Sequence, residues 1–253
     1  MLPFIELGPL KLPTYGLMLC IALLAGIQLA VSRAPRHNLP PQFVYTSATV
    51  AALVAVLGGK LTNILLLGAS LEFNALATNA GTFLGGFLMA LAAVAFMAHR
   101  ARLPVLRVAD CFAPSVALGV ALVRVGCFGA GCDYGKPTTL PWGVVFTNPF
   151  AADFTGVPLG VRLHPSQLYE SALGLLALVV LLWLARRPRP EGFLILVFAV
   201  IYSAGRFVLE FWRGDTVRGF FGPFSTSQWL SLVTIAVFWG MWQWTRRSNK
   251  VTQ

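Results

Sequence analysis

Three cations in this sequence sit where a lipid bilayer would penalise them. Lys60 in "GGKLTN", Arg124 in "LVRVGCFGAGCDYG" and Arg206 in "YSAGRFVLE" each fall inside a long apolar run. A charge at the bilayer centre costs about 2.5–3.5 kcal/mol on insertion scales, so such residues are functional candidates by default. Arginine favours phosphate, because its planar fork can donate two hydrogen bonds to it. The bland alternative is that these long side chains snorkel to the interface or fix helices together. Tyr15 and His164 stand at the ends of neighbouring apolar runs. His164, Asp133 and Tyr202 are candidates to move a proton, His164 having the intrinsic pKa nearest neutrality; it can equally be a structural cap. Cys127 and Cys132 are spaced C-x4-C. A disulfide, a covalent thiol intermediate, a metal site needing His164 and Asp133 as further ligands, or small weakly polar packing are the readings open for them. Cys20 and Cys111, inside apolar runs, read as core. The glycines of "GCFGAGCDYG", Gly126 to Gly135, predict a loop that dips into a pocket and offers backbone N–H groups to an anion.

The elements that must hold these groups are membrane helices. The chain has 253 residues, 57% hydrophobic and only 11% charged, against about 25% charged in a soluble domain. Seven spans are predicted, at 14–32, 46–68, 81–98, 108–128, 165–185, 192–212 and 226–245, separated by proline- and glycine-marked breaks. The expectation is an all-α integral membrane protein, one polytopic domain over 1–253, with 129–164 as an outer-face loop and small cap. The net charge of +10 could point to nucleic acid, but eleven of the nineteen cations fall on one side of the seven-span arrangement. They are Arg33, Arg36, Arg100, Arg102, Arg107, Arg186, Arg187, Arg189, Arg246, Arg247 and Lys250. The positive-inside rule then puts the N-terminus outside and the C-terminus in the cytoplasm. Glu72 and Asp153 read as solvated residues of outer loops, and Trp183, Trp212, Trp229 and Trp244 as an interfacial belt. His37 and His99 read as interfacial, among cytoplasmic arginines, and Asp110 as capping or flanking span four. At about 1.5 Å per residue, Lys60, Arg124 and Arg206 lie roughly 21–24 Å from the cytoplasmic end. One layer of cations in the outer half predicts a basic pocket for a phospholipid headgroup.

On these residues the sequence resembles the prolipoprotein diacylglyceryl transferase family. The resemblance is carried by "VRVGCFGAGCDYGKPTTLPWGVVF" followed by "RLHPSQLYES". It extends through "YGLMLCIALL", "GGKLTNILL", "TFLGGFLMA", "RPRPEGFLILVFAVIYSAGRFVLEFWRGD" and "STSQWLSLV", nearly the whole chain in order. It implies transfer of a diacylglyceryl group from phosphatidylglycerol to the lipobox cysteine of a prolipoprotein, without metal or organic cofactor. It implies a bacterial inner-membrane protein whose partners are phosphatidylglycerol, prolipoprotein signal peptides and bilayer lipids, with the active site towards the periplasmic leaflet. By motif position it implies phosphate-stabilising roles for Arg124 and Arg206, with Tyr202 beside them and His164 as a further catalytic residue. Tyr15, Lys60, Gly126, Cys127, Cys132, Asp133, Gly135, Gln167, Tyr169, Glu170, Glu210 and Arg213 are implied to bind substrate.

The departures from the family pattern mark a divergent branch. The histidine before the paired glycines of span three is Leu84, which cannot take a proton. Cys127 stands for the signature asparagine, Cys132 for the signature glutamate, and Lys60 for an arginine. The base is therefore open among His164, Asp133 and Tyr202. A non-catalytic lipid-binding or lipid-transporting protein on the same scaffold is the alternative. A channel or pump predicts intramembrane charges at several depths rather than one layer.

Overall fold

A computed structural model describes residues 2–8, 10–67, 83–215 and 219–251. Long helices dominate: α1 Thr14–Arg33, α2 Pro41–Leu67, α3 Phe83–Arg100, α4 Val105–Ala130, α6 Ser166–Leu184, α7 Phe193–Leu209 and α8 Thr226–Val251, with a short α5 at Pro149–Thr155. Three two-stranded antiparallel ribbons supplement them: β1 Phe4–Leu7 with β2 Leu10–Pro13, β3 Val144–Val145 with β4 Arg162–Leu163, and β5 Phe220–Phe221 with β6 Phe224–Ser225. Five described helical segments are long and apolar enough to cross a bilayer, Thr14–His37, Pro41–Thr62, Val105–Ala130, Ser166–Leu184 and Phe193–Trp212. Gly85–Arg100 and Thr226–Phe238 are shorter apolar helices. Leu24, Leu57, Leu65, Phe96, Val179 and Val237 point outward from these helices, as side chains facing lipid do. Trp183, Trp212 and Trp229 are exposed near helix ends. Glu72 and the side chains of Trp244, Arg246, Arg247 and Lys250 lie outside the described residues.

The chain divides into two compact units, one of residues 1–26 with 113–253, the other of residues 27–112. In the second unit α2 and α3 run antiparallel at close range. A Cβ at Gly58 would meet Met89, and one at Gly85 would meet Thr62. Small residues at such positions let membrane helices approach, and packing rather than water-driven burial holds them. One apolar cluster there joins Ala30, Ala34, Leu39 and Val44 with Ala98, Val108 and Cys111. In the first unit Ala113, Ala117, Ala177, Leu181, Leu194 and Phe198 form another cluster, which binds α4 to α6 and α7.

The signature stretch departs from its expected form. Helix α4 continues to Ala130, so "GCFGA" is helical and the turn begins only at Gly131. Gly131 takes φ +85° and its N–H returns to the Cys127 carbonyl at 2.9 Å. Gly126 is used for proximity: a Cβ there would sit 2.9 Å from Met18 Cβ and 3.3 Å from Tyr15 Cα. A helix–helix contact of small residues and a glycine-rich loop look alike in sequence. The connection to α6 is itself folded around Tyr134, Phe146, Ala151, Val157 and Leu163. In it Asn148 caps α5, accepting from Phe150 N–H at 3.0 Å.

Candidate active site

Helices α4, α6 and α7 of the first unit bring Arg124, Glu170 and Arg206 together. Glu170 is 2% exposed on the first turns of α6. Its carboxylate lies between the two guanidinium groups, against Arg124 Nε on one oxygen and 2.9 Å from Arg206 Nε on the other. Neither contact is aligned as a hydrogen bond, so Glu170 is neutralised by charge with its lone pairs unsatisfied. The pairing extends both ways. Arg206 Nη1 donates to Glu210, one helical turn on, and its Nη2 to Ser227 Oγ at 3.3 Å. Arg124 Nη1 donates to Asp133 Oδ2 at 2.5 Å, and Arg213 Nη2 to Asp133 Oδ1 at 2.5 Å. Arg213 also holds Asp215 through Nε at 2.9 Å and Nη2 at 2.8 Å. The result is one alternating chain: Glu210, Arg206, Glu170, Arg124, Asp133, Arg213, Asp215.

This corrects the expectation of a bare basic pocket. Three arginines face four carboxylates, so the positive charge is compensated before any ligand arrives. Buried ion pairs of this kind contribute little net stability, but each member left alone would be costly. Burial pushes the Asp133 carboxyl up; Arg124 and Arg213 outweigh it and hold the group below the ordinary carboxylate range. Asp133 is the most open member of the chain, its side chain 32% exposed against 2–3% for Glu170 and Glu210. Its backbone sits at φ +57°.

The turn that carries Asp133 is pinned to the start of α6. Ser166 Oγ donates to the Asp133 carbonyl at 2.7 Å, and Gln167 Nε2 to the Cys132 carbonyl at 2.6 Å. Gly135 pairs with Arg213, and its N–H donates to the His164 carbonyl at 3.1 Å. Lys136 N–H goes to the Trp212 carbonyl at 2.8 Å. The N–H groups of Gly131, Gly135 and Lys136 thus go to the protein's own carbonyls rather than to an anion. Tyr15 on α1 faces Arg124, Asp133, Cys127 and Cys132, and Tyr202 on α7 faces Arg124, Arg206 and Glu170. Phe198 stacks on Tyr202, ring centroids 5.7 Å apart.

His164 Nδ1 meets Tyr169 Oη at 3.2 Å, and that hydroxyl accepts from Trp142 Nε1 at 2.9 Å. Among the described residues no hydrogen bond or ion pair joins the His164 ring to the arginine chain. Lys60 belongs to the second unit, on α2, and has contacts of its own. Leu84 lies in α3 of that unit, its side chain outside the described residues. Cys127 and Cys132 are free thiols, Cys132 Sγ donating to the Cys127 carbonyl at 3.7 Å. Their sulfurs and an Asp133 oxygen lie within 4.8 Å of one another, the spacing of a metal-ligand set. Arg124 and Arg213 occupy both Asp133 oxygens, however, and two adjacent guanidinium groups oppose a cation there. Sequence reading missed Asp215, Ser166, Ser227 and Trp142. Asp215 had a signal, the Arg-x-Asp spacing that places it on Arg213.

Comparison with known proteins agrees with this arrangement of motifs. Residues 3–244 match the family model described as Prolipoprotein diacylglyceryl transferase. A Clostridium tetani protein named phosphatidylglycerol–prolipoprotein diacylglyceryl transferase is 36% identical over 237 residues, 92% of each chain. Proteins of the same name from Nitrosomonas europaea and Solidesulfovibrio magneticus are 34% and 36% identical, covering 96% of this chain and 89% and 93% of their own. The chain belongs to the prolipoprotein diacylglyceryl transferase family.

Proposed function

We propose that this protein transfers the diacylglyceryl group of phosphatidylglycerol to the lipobox cysteine thiol of prolipoproteins. The thiol sulfur attacks the glyceryl carbon bonded to the phosphate oxygen. An S–C bond forms, the C–O bond breaks, glycerol phosphate leaves with the bonding electrons, and the thiol proton passes to a base. The observation that carries this reading is the convergence of Arg124 and Arg206, eighty-odd residues apart, on buried Glu170. Carboxylates on both sides fix the guanidinium planes in advance, and preorganised donors are what stabilise charge growing on a leaving phosphate. Each fork has five N–H donors, so pairing with carboxylates leaves others for the lipid.

In this reading the incoming phosphate displaces the Asp133 carboxylate, the most open acid, from between Arg124 and Arg213. Freed from two guanidinium partners, Asp133 becomes a stronger base and accepts the thiol proton. Tyr202 and Tyr15 line the headgroup position, and Gln167, Ser166 and Gly135 hold the turn that moves. His164, tied to Tyr169 and Trp142, supports the folded connection, which acts as a cap where the signal peptide docks. Phosphatidylglycerol and the acceptor helix both enter sideways from lipid. The chain is one polytopic domain of seven spans in the bacterial inner membrane, N-terminus outside, with the site towards the periplasmic leaflet.

The test is transfer in vitro from phosphatidylglycerol to a lipobox peptide. Arg124→Ala and Arg206→Ala are each expected to lower the rate about 10²–10³-fold, as loss of one donor to developing charge does, while the far-ultraviolet spectrum stays helical. Full activity in both variants removes the assigned roles. No transfer by wild-type protein in phosphatidylglycerol bilayers, with correct insertion, removes the function.

A further inference from the structure

The second unit buries a cation that the transfer chemistry does not use. Arg33 closes α1 and is 5% exposed. Its Nε and Nη2 nevertheless reach no acceptor, and among the described residues no carboxylate pairs with it. The Nε2 atom of His37, four residues on, is also buried without a partner. Below them the helix ends are firmly packed: the Cys111 thiol donates to the Ala30 carbonyl at 3.5 Å, and Ala34, Leu39, Ala98 and Val108 share one apolar cluster. Further positive charge surrounds the spot. Arg36 acts electrostatically on Arg33, and Arg33, Arg36 and Arg107 all act on His37. Asp110 is buried in the same unit and engaged in contacts of its own.

This is not how a spare surface arginine behaves. A long cationic side chain at a membrane boundary ordinarily extends its head into water. A shielded guanidinium with two donors unmet carries the full penalty of an unsatisfied charged group. Neighbouring cations add repulsion. An anion removes both costs, and the three unmet nitrogens, from a planar fork and an imidazole, match the several oxygens of a tetrahedral oxyanion better than a carboxylate.

We infer that Arg33, Arg36 and His37 bind one phosphate group. That group belongs to an anionic phospholipid of the adjoining leaflet or to free phosphate. The site lies in a different unit from Glu170 and its arginines, on the end of the helices carrying the basic loops. It makes the protein's second unit dependent on anion for its full stability, apart from the transfer reaction.

The experiment uses the full chain in neutral detergent micelles. Hydrogen–deuterium exchange is followed over residues 33–40 while inorganic phosphate, or separately the soluble phospholipid dihexanoyl phosphatidylglycerol, is titrated in. Saturable protection by either supports the site: by phosphate alone it identifies the free ion, by lipid alone a headgroup, by both the shared phosphate chemistry. Arg33→Gln is expected to shift the midpoint about tenfold upward, the loss of a charge-assisted contact. Arg36→Gln, at an exposed position, shifts it a few-fold and serves if the first variant does not fold. Arg206→Gln, in the other unit, leaves it unchanged. Absence of protection with both probes overturns the inference, as does protection that Arg33→Gln and Arg36→Gln leave untouched.

Discussion

At the scale of the residue, the position of Asp133 between two guanidinium groups has a measurable consequence in acid. Its carboxyl is held below its ordinary value of 3.8 in the fold, burial opposing and Arg124 and Arg213 prevailing. A depressed carboxyl contributes stability that is fully present above the unfolded pKa and disappears as pH falls through the folded one. The contribution of Asp133 should therefore be constant through neutrality and vanish only below pH ~4. Thermal unfolding of wild type and Asp133→Asn in detergent, compared across pH, should give a constant gap near neutrality that closes in acid. A gap that opens towards acid would contradict the pairing. The same variant should lose transfer activity at every pH, because an amide can neither accept the thiol proton nor leave the phosphate position as an anion. Single residues of this kind were readable from sequence only in part. Arg124 and Arg206 announced themselves as charges in apolar runs. That Glu170 would pair with both, and that Asp133 would turn inward rather than to solvent, depends on helix rotation and on a left-handed turn, neither of which has a local pattern.

The helices were the most legible level, since apolar runs of bilayer length leave few alternatives; most described ends fall within three residues of the predicted spans, and the last helix runs on to Val251 rather than 245. Exceptions are physical. Helix α2 starts at Pro41 rather than 46, because proline is well tolerated in a first helical turn. Helix α4 absorbs Pro114 and continues through Gly126 and Gly129, because glycines in a membrane helix serve contact as often as they break structure. The β1–β2 hairpin and α5 went unread, being short and without apolar periodicity. The role assigned to Gly126 is open to a paired test along α4. Gly119→Ala places its Cβ in open space, whereas Gly126→Ala drives it against Met18 and Tyr15. The first should be neutral or stabilising, by up to about 1 kcal/mol of helix propensity. The second should cost about 1–3 kcal/mol through overpacking, seen as a fall in the unfolding midpoint. It should also reduce transfer, since Tyr15 moves away from Arg124. Equal effects from the two variants would mean that α1 and α4 do not need their close approach.

For the whole molecule, the proposed orientation rests on charge and packing taken together. Five described helices are long enough to span, and α3 and the first part of α8 are shorter, so the parity of the chain rests on those two. If α3 failed to cross, Arg100, Arg102 and Arg107 would lie opposite Arg33 and Arg36, and every later loop would exchange sides. The packing of the second unit argues for crossing. The last turn of α1, the start of α2, the end of α3 and the start of α4 meet in one apolar cluster, so α3 returns to the end from which α2 departs. In the proposed arrangement of seven crossings, eleven cations collect on one side, the side that the positive-inside rule makes cytoplasmic. The prediction is read with alkaline phosphatase, active only outside the cytoplasm. Fusions after residue 147, beyond α4, should be active. Fusions after residue 103, beyond α3, and after residue 188, beyond α6, should be inactive. Activity at 103 with inactivity at 147 would mean that α3 lies on the membrane rather than through it. The arginine chain around Glu170 would then open to the cytoplasm, where secreted prolipoproteins do not present their mature cysteine, and the transfer reading would fall with the topology.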